Sequence, residues 1–344
     1  GHVGAVSVVA VSSDSRWLAT ASEDETIIIW DVQENTILRE WAVGAPVTFL
    51  AFSPDSERLA SPRCGAGGLD AAIWGVQDGG DLLGSLSGHT APIATCVWSP
   101  DDIKLASMAR EGPDIIRVWD AETYEQVYVL RDAFRIPTCA YIQFSPDGRW
   151  LHVASPHPKM TVCRVWNADT GEPYRVLGHK HFVTTATFDP TGRLLATASE
   201  EGSIFLWRMK TMEHRTHPCA RLATIAFSQD GTQVFLAWAV LSTVMVQVWD
   251  PVGGDRLMSL EGHRASVLSL CFSPDATYIA SGSSDTSVRL WRLRDGSCAA
   301  TFVEHESGVG HVSFSPDGEA LCSGAWDGSV VIRRLRHLIA RRNA

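Results

Sequence analysis

The chain has 344 residues, a formal charge of −10 and eight cysteines with no Cys-x-x-Cys pair. The acidic balance gives nucleic acid no sequence-independent attraction, which argues against a DNA or RNA partner. The longest apolar run, 234–241, is too short for the ~20 residues of a membrane helix, so the chain reads as soluble with no membrane partner.

The cysteines fall mostly in strand-like runs and read as buried thiols, which places the protein in the cytoplasm or nucleus. The length exceeds the roughly 250–300 residues at which one core stops growing. No Pro/Ser-rich or charged linker divides it, and this points to repeats that bury their apolar faces against one another. Because the first residue is Gly1 rather than Met, the chain reads as a segment of a larger regulatory protein.

In chain order, unit 1 runs from His2 through Thr20 and Asp24 to Trp30-Asp31, with strands expected at 6–11 and 36–41. Unit 2 has a first strand at 47–52 and keeps Trp74, but Val43 stands where the His would be. Unit 3 has Gly88-His89, a strand at 93–98, Ser107 and Trp119-Asp120. Unit 4 has Arg135 at the His position and Trp166. Unit 5 has His179, Thr197, Glu201 and Trp207, with a strand at 183–188. Unit 6 has Pro218 and Trp249.

Unit 7 is the clearest copy. Val267 to Phe272 alternates large and small residues, Ser273-Pro274-Asp275 turns the chain, and further strands follow at 278–283, 288–292 and 298–302. Unit 8 offers His305, Ser323 and Asp327 but places Arg333 where the Trp should be. The reference residues Trp30, Trp74, Trp119, Trp166, Trp207, Trp249, Trp291 and Arg333 recur at intervals of 41 to 47 residues. The repeats divide as 1–42, 43–87, 88–133, 134–177, 178–216, 217–261, 262–303 and 304–344. Units 2, 4 and 6 lose the His and also lengthen the segment before the Trp from 19 to 22 residues. The His and the turn Asp are therefore read as partners, with the longer hairpin in the units lacking them.

A period of roughly 40–45 residues with four strands, Gly-His near the start and Trp-Asp near the end resembles the WD40 family over the whole chain. The resemblance implies an all-β propeller of eight four-stranded antiparallel blades. The alternative is a seven-bladed ring with one extra unit. It also implies buried structural tetrads: His2, Thr20, Asp24 and Trp30; His179, Thr197, Glu201 and Trp207; His263, Ser281, Asp285 and Trp291. A Ser-His-Asp set resembles a catalytic triad, but a nucleophile is unique whereas these sets repeat. His179-Lys180-His181 and 214–217 lack a ligand cluster and read as a tetrad His with solvated loops.

The reading is a non-catalytic, monomeric scaffold without cofactor or metal, presenting loops to protein or peptide partners. Family positions put Lys180, Phe182, Arg221, Arg264 and Trp326 on one candidate binding face. The alternative is an enzyme or small-molecule binder using the central channel. That would need charged or His residues in the first strands, which carry Ala, Ser, Thr, Cys and apolar residues instead. The basic run Arg333 to Arg342 reads as a solvated end, or else as a dock for an acidic partner or a nuclear address.

Overall fold

A computed structural model describes residues 1–44, 47–63, 69–77, 80–110, 116–130, 141–154, 161–200, 203–211, 213–218, 222–227, 234–240, 243–249 and 255–335. Their strands pair into eight antiparallel sheets in strict sequence order, so every connection inside a sheet is a hairpin. Seven are complete four-stranded blades, and the eighth has three strands among the described residues. We number them 1 to 8 in chain order.

Many strands have the bounds expected from alternation. Unit 7 forms Val267–Phe272, Tyr278–Ser283, Val288–Arg292 and Cys298–Phe302. The first strand of blade 2 is an exception: it is only Ala51–Phe52, although Val47 and Phe49 are both buried, Val47 in the core shared with blade 1 and Phe49 in that shared with blade 3. The extra residues of unit 6 extend its strands to Val234–Val240 and Thr243–Trp249, which stay paired as far as Val240 and Thr243.

Second strands are buried along their whole length, as in Trp17–Ser22 and Ala320–Ala325, because each is flanked by strands and covered by the next blade. Fourth strands are mostly exposed at the rim, as in Thr36–Ala42. The cores therefore lie between blades. Ala106 and Met108 of blade 3 pack on Ile142 and Phe144 of blade 4, and Ala280 and Leu290 of blade 7 pack on Val312 and Phe314 of blade 8. First strands line the middle, where Ser7 donates to the Val47 carbonyl (2.8 Å) and the Val312 N–H donates to Ser269 (3.1 Å), stapling neighbours together.

The ring closes between blade 8 and blade 1. Ala320 and Cys322 share a core with Leu18 and Val32, with Val9, Val11 and Trp30 packed against it. On the rim of the same seam the Asp317 N–H donates to Ser15 Oγ at 2.8 Å. The seam between blades 1 and 2 has the same bond, from the Asp14 N–H to Ser56 at 3.0 Å. Ser15→Ala should cost about 1 kcal/mol by deleting one such rung. A melting curve superimposable on that of the unaltered protein would remove the bond from the account. After Arg333 the sequence leaves only 338–342 for a fourth strand of blade 8, and these residues lie outside the described ones.

Candidate functional site

In an antiparallel meander the start of strand one and the hairpin between strands two and three lie at the same end. That end is the upper face of the ring and carries the His loops and the turn acids. In blade 7, Trp291 Nε1 donates to Ser281 Oγ (2.8 Å), Ser281 lies 2.7 Å from His263 Nε2, and His263 Nδ1 lies 2.9 Å from Asp285. An indole N–H can only donate. Ser281 therefore accepts from it, and the Asp285 carboxylate, which can only accept, takes the hydrogen on Nδ1. Against the opposing pull of Asp285, burial lowers the His263 pKa and so favours the neutral ring, whose bare Nε2 accepts from the Ser281 hydroxyl.

Blade 1 repeats the arrangement with one insertion. Trp30 donates to Thr20 (2.8 Å) and Thr20 meets His2 Nε2 (2.8 Å), but His2 Nδ1 is closer to Thr26 Oγ1 (2.9 Å) than to Asp24 (3.3 Å). Thr26 passes its own hydrogen to Asp24 at 2.6 Å. In blade 5, Trp207 donates to Thr197 (2.8 Å), which lies 3.2 Å from His179, while Glu201 lies outside the described residues. Burial, with His214 nearby, pushes His179 down to about 4.

Two networks were incompletely visible in the sequence. Blade 3 joins Trp119, Ser107 and His89 with bonds of 2.7 and 2.6 Å. Blade 8 keeps its network without a Trp: His305 bonds Ser323 (2.7 Å) and the Ser329 hydroxyl. Arg333 instead lies over the Phe302 ring at 3.7 Å and pairs with Glu304. The bridging hydroxyls Thr26, Ser287 and Ser329 all stand two residues after a turn acid, a spacing that could have identified them.

The turn acid also fixes the loop above it. Asp24 accepts from the Val3 N–H, Asp285 from Arg264 and Asp327 from Glu306. Burial opposes charge on Asp285, yet the hydrogen bonds from Ser287, the Arg264 N–H and His263 hold its carboxyl well below the usual range. Asp285→Ala should strand those donors and cost roughly 1–3 kcal/mol, whereas Glu34→Ala on an exposed turn should change little. Equal losses of thermal stability in the two variants would contradict this assignment.

These sets are not catalytic centres. Ser281, Thr20 and Ser323 are fully or almost fully buried, where no substrate reaches them, and each already serves as a link between neighbours. Among the described residues no three His, Cys, Asp or Glu side chains converge as a metal site. Described cysteines 96, 163, 271, 298 and 322 are free thiols, and no described helix is long and apolar enough to cross a membrane.

Above the networks, one backbone bond recurs in five blades. The residue before the turn acid donates to the carbonyl three residues after the His: Glu23 to Ala5, Arg110 to Pro92, Glu200 to Phe182, Ser284 to Ser266 and Trp326 to Gly308. Each bond sets two variable positions side by side on the upper face. Lys180 and Arg264 are exposed, Phe182 is half-buried, and Arg221 lies outside the described residues. Trp326 is 51% exposed. Its indole lies over Gly308 and Gly310, where an added Cβ would come within 2.8 and 3.1 Å of the ring. The same bond adds positions the sequence reading omitted, the exposed Glu23, Pro92 and Arg110, and Val3, next after His2, is 94% exposed on the same face.

The WD domain, G-beta repeat family matches residues 1–31, 80–120, 171–208, 254–292 and 296–333, which is more than half of the chain. The chain belongs to the WD40 family. Tobacco (Nicotiana tabacum) guanine nucleotide-binding protein subunit beta is 25% identical over 323 residues, covering 85% of this chain and 82% of that protein. The transcriptional corepressor LEUNIG_HOMOLOG of Arabidopsis thaliana is 24% identical, covering 82% of this chain and 34% of that protein. The crystal structure of the computationally designed Ika8 protein superposes with a TM-score of 0.79 at 25% identity, covering 97% of both chains. Like other WD40 chains of this kind, the protein is an interaction scaffold: its repeated polar sets hold the ring together and leave the loops to vary.

Proposed function

We propose that the protein binds protein or peptide partners through its upper face, as a monomeric, non-catalytic ring acting in the cytoplasm or nucleus. The observation that supports this best is the recurrent backbone bond, which pairs side chains that differ from blade to blade on a buried and invariant base. Trp326 and Arg264 are the strongest anchors on that face. Both residue types are enriched among interface positions whose truncation costs most, and both are exposed here, although one side of the Trp326 indole packs on Gly308 and Gly310 of its own blade. Lys180 and Phe182 flank them on blade 5. By their names, the relatives include a subunit of an assembly and a corepressor, which is consistent with partners that are proteins.

Trp326→Ala and Arg264→Ala should each weaken a captured partner by upwards of ~2 kcal/mol, about thirtyfold, with little change in melting temperature. Asp55→Asn, on the opposite face, should leave the affinity unchanged. A partner whose affinity responds to Asp55→Asn and not to the upper variants would place the binding face at the other end of the ring.

A further inference from the structure

Two consecutive seams on the lower side are bridged by charge. The residue opening the second strand of one blade reaches an acid of the next: Arg58 meets Asp102 at 2.7 Å, and Lys104 meets Asp169 at 2.6 Å. The seam that follows, between blades 4 and 5, has neither half of this bridge. Trp150 occupies the cation's position, beside the leucine that pairs with the blade Trp, and stacks on Tyr174 at 4.0 Å. Three residues after Trp207, where Asp169 stands relative to Trp166, the chain has Lys210. One residue after it, where the neighbouring blades have Asp120 and Asn167, it has Arg208.

The result is a groove of about 1430 Å³. Its apolar wall includes Trp150, Tyr174, Leu206 and Met209, with the Tyr174 hydroxyl donating to the Met209 carbonyl at 3.1 Å. Its rim carries Arg193, Arg208 and Lys210, all exposed, and among the described residues none has a carboxylate within ion-pair distance. Three acids also line the groove: Glu213 is exposed, with Thr211 Oγ1 3.5 Å from its carboxylate, and the other two are engaged. Asp147 accepts from Ser145 and lies 3.8 Å from Arg149, while Asp189 accepts from the Leu194 N–H (2.7 Å) and from Thr191 (2.5 Å).

We propose that this groove is a second binding site, for a peptide segment in which Asp or Glu alternates with apolar residues. The carboxylates meet Arg193, Arg208 and Lys210, and the apolar side chains lie against Trp150, Tyr174 and Leu206. Exposed guanidinium and ammonium groups without internal partners favour carboxylates, and an aromatic wall beside them removes apolar side chains from water. Because the protein as a whole carries a charge of −10, attraction of an acidic segment depends on local clusters of cations such as this rim. The site lies on the opposite face from Trp326 and Arg264, so each reading can fail without the other.

The test is fluorescence anisotropy of the full chain with a labelled ten-residue peptide of alternating glutamate and leucine. Saturable binding is expected, weakened at least about tenfold by the double variant Arg208→Glu with Lys210→Glu and weakened by added salt. Arg264→Glu should leave it unchanged, and matched melting curves should show that the variants remain folded. The proposal is overturned by no saturable binding below about 1 mM, by equal loss with Arg264→Glu, or by equal binding of a lysine–leucine peptide. A phosphoserine peptide that binds where the glutamate peptide does not would overturn the assigned occupant.

Discussion

Gly328→Ala is expected to destabilise the ring by about 2–4 kcal/mol, far more than an alanine in any other tight turn of the upper face. Gly328 has φ +80°, but the conformation alone is not the obstacle, since Glu25 and Thr286 adopt φ values of 66° and 69° at the matching positions of blades 1 and 7. The difference lies in what faces the turn. A Cβ on Gly328 would sit 2.6 Å from the Gly4 carbonyl oxygen, and a Cβ on Gly4 would sit 2.8 Å from the Asp24 backbone nitrogen. Backbone cannot move aside as a flexible side chain can. The turn of blade 8 and the His2 loop of blade 1 would have to separate where the ring closes. Thr286→Ala, which keeps the same backbone shape and removes atoms rather than adding one against backbone, should cost less than about 1 kcal/mol. Similar melting temperatures for the two alanine variants would show that the last blade does not close tightly on the first.

The second large effect depends on acid. His152 is fully buried in the second strand of blade 4, beside the backbone of Gln143 and Ala186 and 5.1 Å from the Phe188 ring centroid. At the matching position five other blades have Ala19, Ala60, Ala106, Ala196 and Ala280, and blades 6 and 8 have Phe235 and Cys322. The larger ring fits because the facing first strand offers Ala186, where blades 7 and 8 have Leu270 and Val312. Burial pushes His152 down to about 4, below the ~6.5 of an unfolded histidine.

A folded-state value below the unfolded one means that the contribution is complete above pH 6.5 and is lost as pH falls towards 4. Roughly 2.5 kcal/mol should be lost by pH 4.5. His179, lowered by burial in the same way, acts in the same window, whereas Asp24 and Asp285 act at lower pH because their carboxyls are held low. Urea unfolding of the double variant His152→Ala with Ala186→Leu, which exchanges the large and small partners, should show a smaller fall in stability between pH 7 and 4.5. An unchanged fall would mean that His152 does not carry the acid sensitivity.

Much of this structure was legible because each blade buries the same positions for the same reason. The alternation in 267–272 and the turn residues after it fixed the strand bounds. The Trp30, Thr20 and His2 set was what the WD40 resemblance implies at those positions. What escaped depends on contacts between blades rather than on the pattern within one. The short first strand of blade 2 is an example. The extra residues of unit 6 could equally have made a loop, and only pairing across the hairpin turns them into longer strands. Blade 8 was in doubt because its Trp is replaced, yet its His–Ser bond needs no indole when Ser329 holds the other side of the ring. The cationic groove could not be read either, because it arises from a Trp in one unit and three basic residues in the next, each unremarkable in its own unit.

The central claim, that the upper face of a WD40 scaffold holds its partners, is tested most directly by quantitative affinity capture with three forms of the protein. These are the unaltered chain, a double variant Trp326→Ala with Arg264→Glu, and the lower-face variant Asp55→Asn, first shown to melt at similar temperatures. The account predicts one set of proteins retained by the unaltered chain and by Asp55→Asn and lost from the double variant. Retention of that set by all three forms, or its loss only from Asp55→Asn, would contradict it.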